Sequence, residues 1–355
     1  MTSPDHPKRL NEYLDNASRN NFNIIRLICS VMVILTHCCQ TSDPVYILSG
    51  KTLSGSDIAM PVFFFLSGLL VSNSLDHSSS RRNFLWKRFL RLYPAAILVV
   101  LLSACVLGPL LTTCSMKDYF SSPVFFQYLS TGLLVHVSYN LPGVFTHSPL
   151  GPSVNASLWS LSLELKLYVG LFLLSYIKNK RLSNQLIFFA VAALIAIGIL
   201  PPQEVQTTFR HMLWPHFVLY PYTELTVYFL IGMICYRFRD RISIPGYLIF
   251  LLPAAFLVSQ WGHFFSIAGF VIIPAAVLFL AVNRTAFISK MTPRADFSYG
   301  LYIWAFPVQQ LVINYLYSSN PLLVFFITLG LTLLPAAASW YGVESKALKA
   351  KNVIA

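Results

Sequence analysis

Arg81-Arg82-Asn83-Phe84-Leu85-Trp86-Lys87-Arg88-Phe89-Leu90-Arg91 leads directly into LYPAAILVVLLSACVLGPLL at 92–111, a run in which no side chain is charged. A helix needs about 20 such residues to cross the hydrocarbon core of a bilayer. Arg and Lys gathered at one end hold that end on the cytoplasmic side. The same alternation of apolar run and basic cluster recurs along the chain. Apolar runs stand at 24–39, 58–75, 92–111, 158–176, 186–200, 224–236, 246–261, 264–282, 299–317 and 321–340. Several are short for a full span, the fifth and sixth most of all. Residues 120–145 are moderately apolar, but Pro123, Asn140, Pro142 and Gly143 interrupt them, so they read as an interfacial helix and loop. The pattern predicts an all-α integral membrane fold of about ten transmembrane helices, with both termini in the cytoplasm.

Composition agrees. Hydrophobic residues are 56% of the 355 and charged residues 11%, and mean hydropathy is +0.63. A soluble domain of this size needs more charge to cover its surface. The net charge of +12 is spread over short clusters, with no long basic run or face for nucleic acid. With the N-terminus inside, 21 of the 25 Lys and Arg fall on the cytoplasmic side, and only Lys51, Lys117, Lys166 and Arg210 fall outside. One span more or fewer scrambles that segregation. Residues 1–21 read as a cytoplasmic segment, 22–342 as the membrane domain and 343–355 as a cytoplasmic tail. No cleavable signal peptide is expected, because 1–21 are polar. The stretch 112–157 is too short and too apolar to fold alone. The six cysteines show no ligand or disulfide spacing.

Ionisable residues inside a membrane are costly and need a reason. His37 follows Arg26 by eleven positions in the first run. At about 100° and 1.5 Å per residue, the two share a helix face to within about 20° and stand about 16 Å apart. One face thus joins an anion-binding group near the cytoplasmic surface to a candidate base past mid-membrane. The plainer alternative is a helix–helix hydrogen-bonding histidine and a snorkelling arginine. Arg88 and Arg91 are three apart and share a face, and paired guanidinium groups suit phosphate. Arg81, Arg82 and Lys87 read as anchors on anionic lipid.

Asn155-Ala156-Ser157-Leu158-Trp159-Ser160 precedes Glu164, which enters the fourth run from the far side at about the depth of His37. A carboxylate there can orient an imidazole or accept a hydroxyl proton. Lys166, two residues on, does not share its face. Asn155-Ala156-Ser157 also matches a glycosylation sequon, a weak signal. Asp57, Glu224 and Asp296 lie at helix ends and read as solvated boundary residues. His211 and His216, five apart, share no helix face, so no metal site is expected. His136, His147 and His263 fall in loops or at helix ends.

Five segments carry a resemblance. They are Asn20-Asn21-Phe22-Asn23-Ile24-Ile25-Arg26 leading to His37, Pro61 through Ser67-Gly68, and Arg88-x-x-Arg91-x-Tyr93-Pro94. The others are Asn155 through Glu164, and Ser298-Tyr299-Gly300-Leu301-Tyr302-Ile303-Trp304-Ala305-Phe306-Pro307. In this order they resemble the acyltransferase-3 family of bacterial membrane O-acyltransferases, particularly those that acetylate lipopolysaccharide O-antigen or other surface glycans. The resemblance covers about 21–340. It implies transfer of an acyl group, usually acetyl, from cytoplasmic acyl-CoA to a carbohydrate hydroxyl on the periplasmic side. The family's essential histidine falls on His37, its partner arginine on Arg26, and its arginine pair on Arg88 and Arg91. Many members carry two adjacent acids where Glu164 is followed here by Leu165, and some carry a histidine where this chain has Ala305. No fused SGNH-type hydrolase domain is expected, so acceptor binding falls to the loops.

Joined to the reading of the residues, the resemblance implies that Arg88 and Arg91, with Arg26, hold the phosphates of acetyl-CoA at a cytoplasmic mouth. His37 then either deprotonates the sugar hydroxyl or takes the acetyl group as an acyl-imidazole. Glu164 sets its tautomer or orients the acceptor. Asn155, Trp159, Ser160 and Tyr299 are the candidate acceptor-binding residues. The expected partners are acyl-CoA, a lipid-linked or surface glycan and membrane lipid, with no permanently bound cofactor. The expected location is the bacterial inner membrane. A proton-coupled transporter or flippase of a lipid-linked glycan also fits ten helices and an intramembrane histidine. Such proteins more often show internal repeats and broken helices at matching positions, and no repeat is evident in this chain.

Overall fold

With no water to bond in a hydrocarbon core, an apolar chain must satisfy its backbone within itself, and this chain does so by helices. The computed structural model describes residues 8–14, 20–39, 55–199, 219–245, 263–283, 296–316 and 320–352. In chain order the elements are β1 (Lys8–Arg9), α1 (Asn11–Leu14), α2 (Phe22–Cys39), α3 (Ser56–Asp76), α4 (Arg81–Leu102), α5 (Gly108–Leu111), α6 (Met116–Ser121), α7 (Pro123–Ser130) and α8 (Leu158–Leu174). They continue as α9 (Lys180–Ile199), α10 (Leu219–Arg237), β2 (Ser243–Ile244), α11 (His263–Val282), α12 (Ser298–Leu316), α13 (Pro321–Ser339) and α14 (Ser345–Lys349). Nine of the ten apolar runs coincide with helices; the seventh, 246–261, lies outside the described residues. The short sixth run becomes a 19-residue helix because Leu219 to Thr223 continue it upstream of Glu224.

Among the described residues, three helices are long and apolar enough to cross a membrane: Ser56–Asp76, Arg81–Leu111 and Pro321–Lys349. The basic cluster at 81–91 is therefore the first three turns of a helix, capped by Ser80, whose Oγ accepts from Asn83 N at 3.1 Å. The segment 112–157 holds α6, α7 and an ordered loop, as its broken apolar pattern suggests.

The chain divides into two compact units. The first comprises Met1–Cys29, Asp57–His77 and Gly170–Pro293. In it α3 meets α10 with backbones nearly touching. A Cβ on Gly68 would stand 1.9 Å from Phe229 O, and one on Gly232 would stand 2.2 Å from Phe65 O. Small residues at facing positions let membrane helices approach this closely. Asn21 closes the end of α11, its Nδ2 donating to Leu280 O at 2.7 Å. β1 and β2 pair antiparallel over two residues.

The second unit comprises Ser30–Ser56, Ser78–Val169 and Arg294–Ala355. Between α4 and α5 the helix widens into a π turn at Ser103–Leu107. Tyr119 of α6 donates its hydroxyl to Ala104 O there at 2.7 Å, so a carbonyl at the irregular turn gains a partner. A Cβ at Gly108 would fall 1.8 Å from that hydroxyl, which explains glycine at this position. Burial pushes the Tyr119 phenol up, so it remains a neutral donor. α12 and α13 pair closely, with Gly300 against Ala336. α13 does not end in a free tail. It continues through a π turn (Trp340–Glu344), α14 and a 3₁₀ turn to Asn352, and that end lies on α4. Asn83 Nδ2 donates to Lys351 O at 3.3 Å and Trp86 Nε1 to Ala350 O at 3.1 Å.

Candidate active site

The second unit contains nearly all the candidate residues, and α12 orders them along its length. At its start, Asp296 accepts from the backbone N–H and hydroxyl of Ser298, as a helix-capping carboxylate does. Its other oxygen lies 2.7 Å from Arg91 Nη2. The two side chains are 19% and 13% exposed, so the pair is well shielded from water. The Tyr299 ring lies 5.5 Å from the same guanidinium, within cation–π range, and its hydroxyl donates to Leu92 O at 2.6 Å. Glu344, 4% exposed, accepts from Ser339 Oγ at 2.7 Å and acts electrostatically on Arg91. The solvated boundary role expected for Asp296 is thus wrong: α12 begins beside the face of α4 that carries Arg91, and the cap turns inward.

Arg88, one turn earlier on α4, lies 5.8 Å from the Tyr168 ring and 6.0 Å from that of Phe84. The Tyr168 hydroxyl donates to Glu164, one turn back on α8, and Glu164 acts electrostatically on Arg88. The structure therefore brings Glu164 and Tyr299 into the arginine cluster.

One turn further along α12, the Tyr302 hydroxyl meets Ser160 Oγ at 2.6 Å and Ser157 O at 3.2 Å. Asn155 donates to Ile303 O at 2.8 Å and accepts from Ser157 N at 3.1 Å. Asn155 and Ser160 thus tie the start of α8 to α12. Full burial of Asn155 closes the sequon to modification. Trp159 is half-buried on α8 and Lys166 is exposed.

The next turn of α12 presents Phe306 to His37. The rings meet edge-on, with centroids 5.4 Å apart at 86°. Beyond it, Gln309 Nε2 donates to Cys38 Sγ at 3.0 Å, while nearer the start of α12 Ser30 Oγ donates to Ser298 O at 2.9 Å. The Ser30–Cys39 part of α2 therefore runs beside α12 in the same direction. From Tyr299 to Phe306 the helix advances about 10 Å, so a single element fixes the spacing between the arginine cluster and the histidine. Arg26 belongs to the first unit, where its Nη2 donates to Asn23 Oδ1 at 2.7 Å.

Reading the sequence alone misses Tyr168, Glu344 and the two glutamines after Pro307. Tyr168 carries a usable signal, lying one turn after Glu164 on the same face. Glu344 carries none, since it stands among residues that read as a polar tail.

These arrangements suit anion binding at one end of α12 and acid–base or nucleophilic chemistry at the histidine further along. Known proteins carry related sequences. An O-acetyl transferase of Shigella phage Sf6 is 28% identical over 84% of this chain and 87% of its own length. Nodulation protein 10 of Rhizobium leguminosarum bv. viciae is 27% identical over 94% of both. The O-acetyltransferase OatA of Staphylococcus aureus is 26% identical over 85% of this chain. The match spans about half (54%) of that longer protein. No solved structure matches the chain significantly. The family described as Acyltransferase domain matches residues 19–341, and over that length the chain belongs to the acyltransferase-3 family.

Proposed function

We propose that this protein transfers an acetyl group from cytoplasmic acyl-CoA to a hydroxyl of a surface glycan, lipopolysaccharide O-antigen foremost, on the periplasmic side of a bacterial inner membrane. In this reading the chain crosses the membrane ten times and keeps both termini inside. The observation that carries it is the order of groups along α12: arginines at its start and a histidine two turns further along, at its middle. A donor with a phosphorylated head and a reactive thioester tail needs that polarity. The names of the relatives support the acetyl group and an oxygen acceptor.

Arg88 and Arg91 bind the phosphates. Asp296 neutralises much of the charge of Arg91, so that residue contributes geometry more than net charge. Glu164 and Tyr168 position Arg88. The thioester reaches His37, and two routes follow. In one, His37 takes the proton of the sugar hydroxyl as its oxygen attacks the carbonyl, and the departing CoA thiolate recovers a proton. In the other, the imidazole attacks first, releases CoA and passes the acetyl group to the sugar.

The test is His37→Ala in purified, folded protein, with release of CoA thiol and acetylation of glycan measured together. Loss of a general base or nucleophile predicts a fall of about 100-fold or more. A variant that acetylates at the wild-type rate sinks the role of His37. Wild-type protein that moves a glycan across the bilayer and releases no CoA thiol supports the transporter reading instead.

A further inference from the structure

Two neighbouring glutamines on α12 are both fully buried, at 0% exposure, and the structure treats them differently. Gln310 is saturated. Its Oε1 accepts from Ser148 Oγ at 2.5 Å, and its Nε2 donates to Gly151 O at 3.0 Å and Ser153 O at 2.6 Å. It fastens the 148–153 loop to the helix, and every polar atom of its amide has a use. Gln309 is half satisfied. Its Nε2 donates to Cys38 Sγ, but its Oε1 is buried with no hydrogen-bond partner among the described residues. Turning the amide over exchanges the atoms and keeps the deficit: the Cys38 thiol then donates to Oε1 and Nε2 is left open. A buried amide atom without a partner is costly, and native structures retain few of them. A leucine or methionine fills a similar volume at no such cost.

Gln309 is linked to the reaction centre through both elements that meet at it. Along α2, Cys38 adjoins His37. Along α12, Gln309 lies three residues beyond Phe306, hence on the same face, and the Phe306 ring is the one that His37 meets. We infer that Gln309 holds the acceptor hydroxyl beside His37, its open amide atom completing a hydrogen bond to the sugar group that is to be acetylated. A hydroxyl fits the open position in either orientation of the amide, because it both donates and accepts. The thioester carbonyl only accepts and fits one orientation alone. The inference rests on the acyl-transfer reading above and adds to it where the acceptor is gripped.

The experiment uses the full chain in lipid nanodiscs with radiolabelled acetyl-CoA. The acceptor probe is the surface polysaccharide of the producing bacterium, stripped of ester-linked acetyl groups by mild base. Gln309→Met and Gln310→Met are compared by thermal midpoint, by KM for acetyl-CoA and by rate of transfer against polysaccharide concentration. For Gln309→Met the midpoint should stay level or rise, and the KM for acetyl-CoA should hold. Transfer to the polysaccharide should fall about tenfold or more, the scale of one lost hydrogen bond to a buried polar group. Gln310→Met should lower the midpoint and reduce every activity together. Gln309→Met transferring within about twofold of wild type, well short of one lost hydrogen bond, overturns the assignment. So does a Gln309→Met that behaves like Gln310→Met, which makes Gln309 a packing residue. Absence of transfer by wild-type protein overturns the glycan acetylation reading itself, a result distinct from either of these.

Discussion

At Arg91, one guanidinium nitrogen lies 2.7 Å from Asp296 while the Tyr299 ring covers the group, so an acid from the cap of α12 holds an arginine of α4. Removing one member of a shielded pair leaves the other charge without compensation, and this costs more than the pair itself is worth. Asp296→Asn should therefore destabilise the protein by about 1–3 kcal/mol and raise the KM for acetyl-CoA more than it lowers kcat. Thermal unfolding in nanodiscs and donor-dependent kinetics check both parts. Arg91→Lys should reproduce most of the KM effect, because a lysine keeps the charge and loses the planar fork. An unchanged KM in both variants refutes the placement of Arg91 at the donor. The candidate site was legible from sequence only in part, and these residues show why. Arg88, Arg91 and His37 announced themselves as charges that a membrane helix must justify. Asp296 did not, because its partner is 205 positions away and spacing carries no information about such pairs.

The glycines of α3 and α10 set how closely those helices pack. With Phe229 O 1.9 Å from where a Cβ on Gly68 would stand, even one methyl group must push backbone apart. Gly68→Ala should cost about 1–3 kcal/mol or more by overpacking, and Gly232→Ala about the same. Gly170 is the control, since nothing among the described residues lies within 4 Å of its missing Cβ. Gly170→Ala should be neutral or stabilise by up to about 1 kcal/mol through helix propensity. Thermal midpoints of the three variants check the contrast, and equal midpoints refute the close approach. At this scale the sequence was most legible for long uncharged runs, because length and hydropathy are local properties. It was least legible at 343–352, which reads only as part of a cytoplasmic tail, with no sign of helix. The structure instead shows α13 continuing there and offering the carbonyls of Ala350 and Lys351 to Trp86 and Asn83. The π turns at Ser103–Leu107 and Trp340–Glu344 also left no mark in the pattern, since each changes the helix by a fraction of a turn.

For the whole chain, the distribution of Lys and Arg argues for ten crossings more strongly than any single helix does. With both termini inside, 21 of 25 basic residues lie on one side, and one crossing more or fewer ahead of any cluster moves that cluster to the opposite face. The direction of transfer depends on this parity. Ser30 and Cys38 follow Ser298 and Gln309 in the same sense, so α2 and α12 run in one direction, as the first and ninth of the proposed ten spans would. On the proposed ten crossings, the arginine cluster would face the cytoplasm, the side of the proposed acyl-CoA donor, and His37 the opposite face. Reporter fusions test the parity directly. Alkaline phosphatase, which is active only after export, should be active when fused after Cys114 and inactive when fused after Asn179 or Ala355. A cytoplasm-dependent fluorescent protein at the same three positions should give the reverse. Phosphatase activity at Ala355 would require an odd number of crossings. If the fusion after Cys114 were inactive as well, the arginine end of α4 would face outward, and the donor could not be a cytoplasmic thioester.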